Sequence, residues 1–394
     1  MKKPLASPLI LFATLCLLLL LPAHTYADEG LNKGLSKGAV NGIGKAVFLF
    51  DNIGAQQGLS NTYVLKVLQG QQGYLWVATQ EGLFRYDGYE FKAFMHDPDD
   101  PGSLAGNYVQ DLYQDSQGVL WVIMPAAGFA QYHPQTESFT NFTHQANDPQ
   151  SLSNNLVMSI IEGKAGDLWI ATLGGGLNRF DPNTNTFSHF RHDPLNPDSI
   201  SDDKVYTLHQ DGQGTIWAGT RNGGLNRLDI DSGKFKSYQH DPDNPGSLSH
   251  NKVYKLLEDS KGALWVGTRG GGLNRFNRQT ETFERFVYDP DDPRSLGSNQ
   301  VFAIFEDKAG TLWIAAYKGG LNRFDPTNNR FHRYQHNPQD NQSLASSIVM
   351  SIEQDHSGLI WIGTFGGGLS KFDPASARFG FVKHDTADPN SVSK

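Results

Sequence analysis

LWVGTRGGGLNRFNRQTETF (264–283) decides the fold, because the chain writes it again on either side. One repeat upstream stands IWAGTRNGGLNRLDIDSGKF (216–235), and one downstream LWIAAYKGGLNRFDPTNNRF (312–331). The tryptophan in each belongs to a series: Trp76, Trp121, Trp169, Trp217, Trp265, Trp313 and Trp361 are all the tryptophans of the chain, spaced by 45 and then five times by 48 residues. A fixed period of this size settles architecture before local propensity does. Seven such units have the size of four-stranded propeller blades. Several Gly and Pro per unit, and no apolar pattern of period 3.6, exclude helical repeats.

The fifth unit shows the strands. VYKLLE (Val253–Glu258) is the first, closed by the turn DSKG; LWVGT (Leu264–Thr268) is the second. The glycines at 270–272 lead into a third strand over 273–276, and NRQTE turns into a fourth over 282–287. Strands with turn signals every few residues predict an antiparallel four-stranded sheet. One such sheet has two apolar faces and nothing to cover them. Set radially, each sheet covers its neighbour. A buried Trp hides about 150–250 Å², worth about 4–6 kcal/mol gross. The expected fold is therefore an all-β, seven-bladed β-propeller over residues 46–383, with the tryptophans as packing between blades.

The 394 residues are 38% hydrophobic and 19% charged, with a net charge of −8, which excludes disorder and nucleic-acid binding. Residues 1–27, MKKPLASPLILFATLCLLLLLPAHTYA, have a basic start, a short apolar core and small residues before DEG, as in a secretory signal peptide. An uncleaved anchor is the alternative, although the apolar run is short for a bilayer. Cys16, the single cysteine, lies in that core, so the mature chain would lack thiols and disulfides. Residues 28–45 read as a flexible leader; their GLSKG lacks the strand and helix that a nucleophile elbow at Ser36 needs. The expected destination is the periplasm, with no membrane span after signal removal.

The units GLSNTYVLKVLQGQQGYLWVATQEGLFRYDG (58–88) and SHNKVYKLLEDSKGALWVGTRGGGLNRF (249–276) resemble the two-component regulator propeller repeat. The resemblance covers about residues 46–394. It implies the periplasmic sensor half of hybrid histidine kinases or diguanylate cyclases, which bind an extracellular solute and commonly act as dimers. No kinase core or cyclase segment appears before Lys394. Residues 384–394, HDTADPNSVSK, match the lead-in to another first strand, and VFLF (47–50) looks like a fourth strand with no blade before it. These ends suggest a fragment of a longer receptor. The alternative is that 47–50 closes the ring by pairing with the last blade.

The residue two places beyond the Gly or Ala of each second strand changes from unit to unit: Gln80, Pro125, Leu173, Arg221, Arg269, Tyr317 and Phe365. Loops on a rigid scaffold collect recognition residues. Arginines and aromatics in one ring suit an anionic or sugar-like solute, while neutral drift at exposed positions gives the same pattern. A second ring, ten residues before each Trp, reads Lys66, Asp111, Ser159, Thr207, Lys255, Ala303 and Ser351. It either lines the central channel for a ligand or forms its solvated wall. His96, His144, His192, His240, His336 and His384 share one slot in the connection between blades. One donor per blade does not converge on a metal, so hydrogen bonding is the expected role, and no cofactor is implied.

Three functions are compatible with these features: a non-catalytic solute sensor, a periplasmic lyase or hydrolase, and a protein-interaction platform. An enzyme would need a nucleophile–base pair or metal cluster near the axis, and none is evident in the sequence. The sensor is the reading it favours.

Overall fold

A computed structural model describes residues 46–376 and 378–379. The expected signal peptide over 1–27, the expected leader over 28–45 and the expected lead-in over 384–394 lie outside the described residues. Seven four-stranded antiparallel sheets form the propeller, and six of them run in simple sequence order. In blade five the strands are Val253–Glu258, Leu264–Thr268, Leu273–Asn277 and Thr282–Phe286, each expected edge holding to within one residue. No helix among the described residues is long and apolar enough to cross a membrane.

The second strand is buried at every position in all seven blades. This is why its first four residues are apolar rather than alternating, with a buried Thr closing the strand in five blades: neighbouring blades cover both faces. Each tryptophan is at most 6% exposed and enters a cluster with the next blade. Trp169 packs with Val205, Leu208 and Ile216, and Trp361 packs with Val64, Val67 and Leu75 of blade one, so the wheel closes. The hairpin Asp fixes the indole. Asp115, Asp211, Asp259, Asp307 and Asp355 each accept the Nε1–H of the Trp six residues on, at 2.7–2.8 Å.

The constant letters of GGLNRF have physical reasons too. Gly272 adopts φ +75°, and a Cβ there would come within 2.3 Å of the Phe286 carbonyl oxygen. Asn274 is fully buried. Its Oδ1 accepts the Ser249 N–H at 3.0 Å and its Nδ2 donates to the Val266 carbonyl at 3.2 Å, tying the third strand to the lead-in loop. Arg275 lies over Trp265, 5.6 Å from the ring centroid, and pairs with Glu284.

Ring closure corrects the reading of an unpartnered N-terminal strand. Asp51–Ile53 pairs with Gly368–Phe372 as the outer strand of blade seven, in the register Asp51↔Lys371, Asn52↔Ser370 and Ile53↔Leu369. The segment paired with the third strand of blade seven is thus 51–53 rather than 47–50. Phe50 takes the place that Phe283 has in blade five, and Ile53 that of Phe286. Phe48 and Phe50 are buried with Trp313 and Phe372 between blades six and seven. A further two-residue ladder joins Ala46–Val47 to Arg378–Phe379.

Candidate functional site

The variable residues stand at the mouth of the central channel, and a backbone contact puts them there. The N–H of Leu173, Arg221, Arg269, Tyr317 and Phe365 donates at 2.8–2.9 Å to a carbonyl just before the first strand, respectively that of Leu156, Lys204, Lys252, Gln300 and Ile348; Gln80 does the same to Tyr63 at 3.3 Å. Each is therefore held beside the innermost strand. Pro125 has no N–H to give. Blade two keeps only the neighbouring bond, Ala126 N–H to Asn155 O, which Gly174, Gly270 and Gly366 also make in their blades, and its first strand is shortened to Asp111–Gln114. None of the seven is exposed: Pro125 and Leu173 are buried and the others half-buried. Free drift at an exposed position does not describe them.

A ring of residues that sequence reasoning passed over completes the mouth. In six blades the first strand carries a register shift between residues twelve and ten before the Trp. The residue between them is left over from the ladder, as at a β-bulge. In blades four to six it is Tyr206, Tyr254 and Phe302. Their rings form a crescent, with Tyr206–Tyr254 centroids 4.3 Å apart and Tyr254–Phe302 centroids 6.5 Å apart. Tyr317 extends it, 5.3 Å from Phe302. Arg269 donates from Nη1 to the Tyr254 hydroxyl at 3.0 Å and lies 5.5 Å from that ring's centroid. Phe365 meets Tyr63 edge-on at 4.8 Å across the closure. Burial, and then Tyr254 beside it, push the Tyr206 hydroxyl well above the usual phenol range. The signal was three aromatics at one slot in consecutive units, concealed because a bulge breaks the two-residue alternation by which strand faces are read.

Deeper in the channel the second ring divides. Thr207, Ala303 and Ser351 are buried, and the Ser351 hydroxyl has no partner among the described residues. Lys255 of blade five reaches Asp111 of blade two, Nζ to Oδ2 at 3.8 Å. Enclosure pushes the Lys255 ammonium below its usual range; Asp111 opposes this and Lys66 adds to it. Burial likewise pushes the Glu353 carboxyl up, against the pull of Lys66.

The histidine slot is occupied by hydrogen bonds. His96, His144, His192, His240 and His336 each place Nδ1 2.6–2.8 Å from the carbonyl oxygen eight residues on. His384 lies outside the described residues. Among the described residues no three or more His, Cys, Asp or Glu side chains gather as a metal site. Tyr206 and Phe302 are buried, so the half-buried Tyr254, Tyr317 and Arg269 are the members of the crescent left to meet a solute, an aromatic edge beside a guanidinium.

Known proteins carry the same repeat. Residues 103–124, 151–174, 199–222, 247–270, 295–318 and 343–366 match the two component regulator propeller family. Five of these stretches include the variable mouth residue. A 58-residue stretch is 36% identical to histidine kinase P4 of Formosa agariphila, covering 15% of this chain and 4% of that protein. The extracellular domain of a putative hybrid two component system from B. thetaiotaomicron is 30% identical, with a TM-score of 0.72 over 83% of this chain and 42% of that one. This chain thus spans less than half the length of the two-component proteins it matches. Virginiamycin B lyase from Staphylococcus aureus has a TM-score of 0.61 over 83% of this chain and 99% of its own, at 16% identity, a likeness of fold alone. With six repeats in register on a closed seven-bladed ring, the chain belongs to the two-component regulator propeller family.

Proposed function

We propose that this chain is the solute-sensing propeller of a bacterial two-component signalling protein, exported to the periplasm and without catalysis of its own. The solute is small, anionic or sugar-like, and binds at the channel mouth. One observation carries this reading: the crescent of Tyr206, Tyr254, Phe302 and Tyr317 runs across three consecutive blades with Arg269 bonded to its centre. Such a platform buries the face of a ring while the guanidinium fixes an oxygen. The family, and the likeness to an extracellular domain, support an extracytoplasmic sensing role.

Thermal-shift screening of the purified chain against organic acids and saccharides tests it. A true ligand at one hundred times its Kd adds about 2.7 kcal/mol to stability. Tyr254→Ala and Arg269→Ala should each weaken that ligand by tenfold or more, the scale of an anchoring contact. Silence across the library, or conversion of the stabilising compound into a product, would remove the proposal.

A further inference from the structure

On the opposite face, where the turns between first and second strands emerge, the blades are clamped together by one repeated bond. The second turn residue donates its N–H to a side-chain oxygen of the last residue in the next blade's first strand. Gln71 gives to Gln114, Ser116 to Glu162, Gly212 to Glu258, Ser260 to Glu306, Lys308 to Gln354 and His356 to Gln69, at 2.5–2.9 Å. The seventh junction, between blades three and four, departs from this. Gln210 occupies the accepting position there and, like Gln69, Gln114 and Gln354, donates its Nε2 to the carbonyl four residues on, at 3.3 Å, but among the described residues its side-chain oxygen receives no bond from the Lys164 N–H. Lys164, the donor residue, lays its side chain over that turn instead, where a Cβ on Gly214 would come within 2.6 Å of the Lys164 Cε.

At this junction a cavity of 760 Å³ opens, lined by Tyr113, Gln117, Glu162, Lys164, His209 and Gln210 among others. Its volume falls within the usual range for small-molecule sites, about 300–1,000 Å³. The His209 Nε2 is buried here without a partner among the described residues, which costs stability unless something bonds to it. The Tyr113 hydroxyl accepts the Glu162 N–H at 3.0 Å, so its own proton stays available to donate. The Glu162 carboxylate is already engaged by the Ser116 N–H and hydroxyl, both at 2.7 Å.

We propose that this cavity binds a small carboxylic acid. Its carboxylate takes the acceptor role that a Glu side chain plays at neighbouring junctions, receiving the Lys164 N–H and a proton on His209 Nε2, with the Lys164 ammonium balancing its charge. Oxygens of a carboxylate fit because three of the intact clamps use them, those of Glu162, Glu258 and Glu306. The site lies on the face opposite the channel mouth, so it is independent of the solute proposed there.

Melting of the full chain against succinate and citrate, with sodium phosphate at matched ionic strength as comparison, tests the proposal. One of the acids should raise Tm saturably while phosphate does not. Gln210→Glu restores the missing clamp from within the protein: it should raise Tm without acid and abolish the response to it. His209→Phe, which keeps the volume and removes the nitrogen, should weaken the response at least tenfold in midpoint concentration. Failure of both acids, an equal response to phosphate, or a response undiminished in both variants would overturn the assignment.

Discussion

Asp211 accepts the Trp217 indole N–H on Oδ2 at 2.8 Å and the Thr215 N–H on Oδ1 at 2.9 Å, and Arg278 donates to the same carboxylate from blade five at 2.8 Å. Its side chain is fully buried. A turn signal was legible in the letters DGQG; the second duty, holding an indole six residues away, was not, because it depends on the hairpin folding back over its own Trp. Blade three shows the constraint by exception. It has Gly163 in the Asp position, and a Cβ there would come within 2.4 Å of Asp167 Oδ1 and 2.8 Å of Trp169 Nε1, so a carboxylate from elsewhere fills the space. Asp211→Ala should cost about 2–3 kcal/mol, since it leaves the Trp217 indole N–H unpaired and takes one of two carboxylates from Arg278, which keeps Glu258 at 2.7 Å. Asp307→Ala, which loses the Trp313 bond without an arginine, should cost about 1–2 kcal/mol. Burial acts to raise the Asp211 pKa, but the bonds from Trp217, Arg278 and Thr215 outweigh it and hold the carboxyl below its usual range. Its contribution is then complete above the unfolded value of about 3.9 and fades as pH falls through the lower folded value. In urea titrations the gap between wild type and Asp211→Asn should be constant from about pH 5 to 8 and close in stronger acid.

The blade strands were legible nearly to the residue because hairpin turns and buried second strands leave strong local marks. The closing strand was not. Its aromatic pattern begins at Phe48 and Phe50, which invites a strand over 47–50, yet the ladder to blade seven runs over Asp51–Ile53. The spacing that matters is three, Phe50 to Ile53, matching Phe283 to Phe286 in blade five, and Ile in the second place hides the match. Asn52 then repeats the anchoring of the outer strand to the connecting loop, Nδ2 to the Ser343 carbonyl at 3.0 Å, as Arg285 does to Ser247. This register makes a sharp prediction about alternation. Phe50→Ala should cost about 3–5 kcal/mol as a large core truncation. Leu49→Ala, 39% exposed, should change stability by about 0.5 kcal/mol or less. Equal losses for the two in urea unfolding would mean that the closing strand has another register. The mouth crescent was illegible for a related reason: Tyr206, Tyr254 and Phe302 sit on bulges, where counting by twos assigns the wrong face.

At the scale of the whole wheel, the 48-residue period foretold closure because seven identical wedges leave no face uncovered. What it could not tell is which side chains meet across the axis, since Lys255 and Asp111 are 144 positions apart in sequence and belong to blades two and five. Their meeting places charge in a narrow enclosed channel, where desolvation works against the ammonium. The sign of the consequence follows from the depressed pKa of Lys255. Between that folded value and the unfolded value of about 10.4, the unfolded chain binds more protons than the folded one, so stability rises with pH across this window. Below it the full penalty of a charged Lys255 is present. Lys255→Met, which keeps the length and removes the charge, should therefore raise the urea midpoint at pH 7, by on the order of 1 kcal/mol because channel water still reaches the side chain. The advantage should shrink as pH rises through that window, where wild type increasingly folds with a neutral amine. Asp111→Asn should act in the opposite sense at pH 7, since it removes the carboxylate that favours the cation and leaves Lys66 and Lys255 facing each other. A Lys255→Met variant less stable than wild type at pH 7 would mean that the pair holds the blades together across the axis, and that the channel is braced by its charges rather than burdened by them.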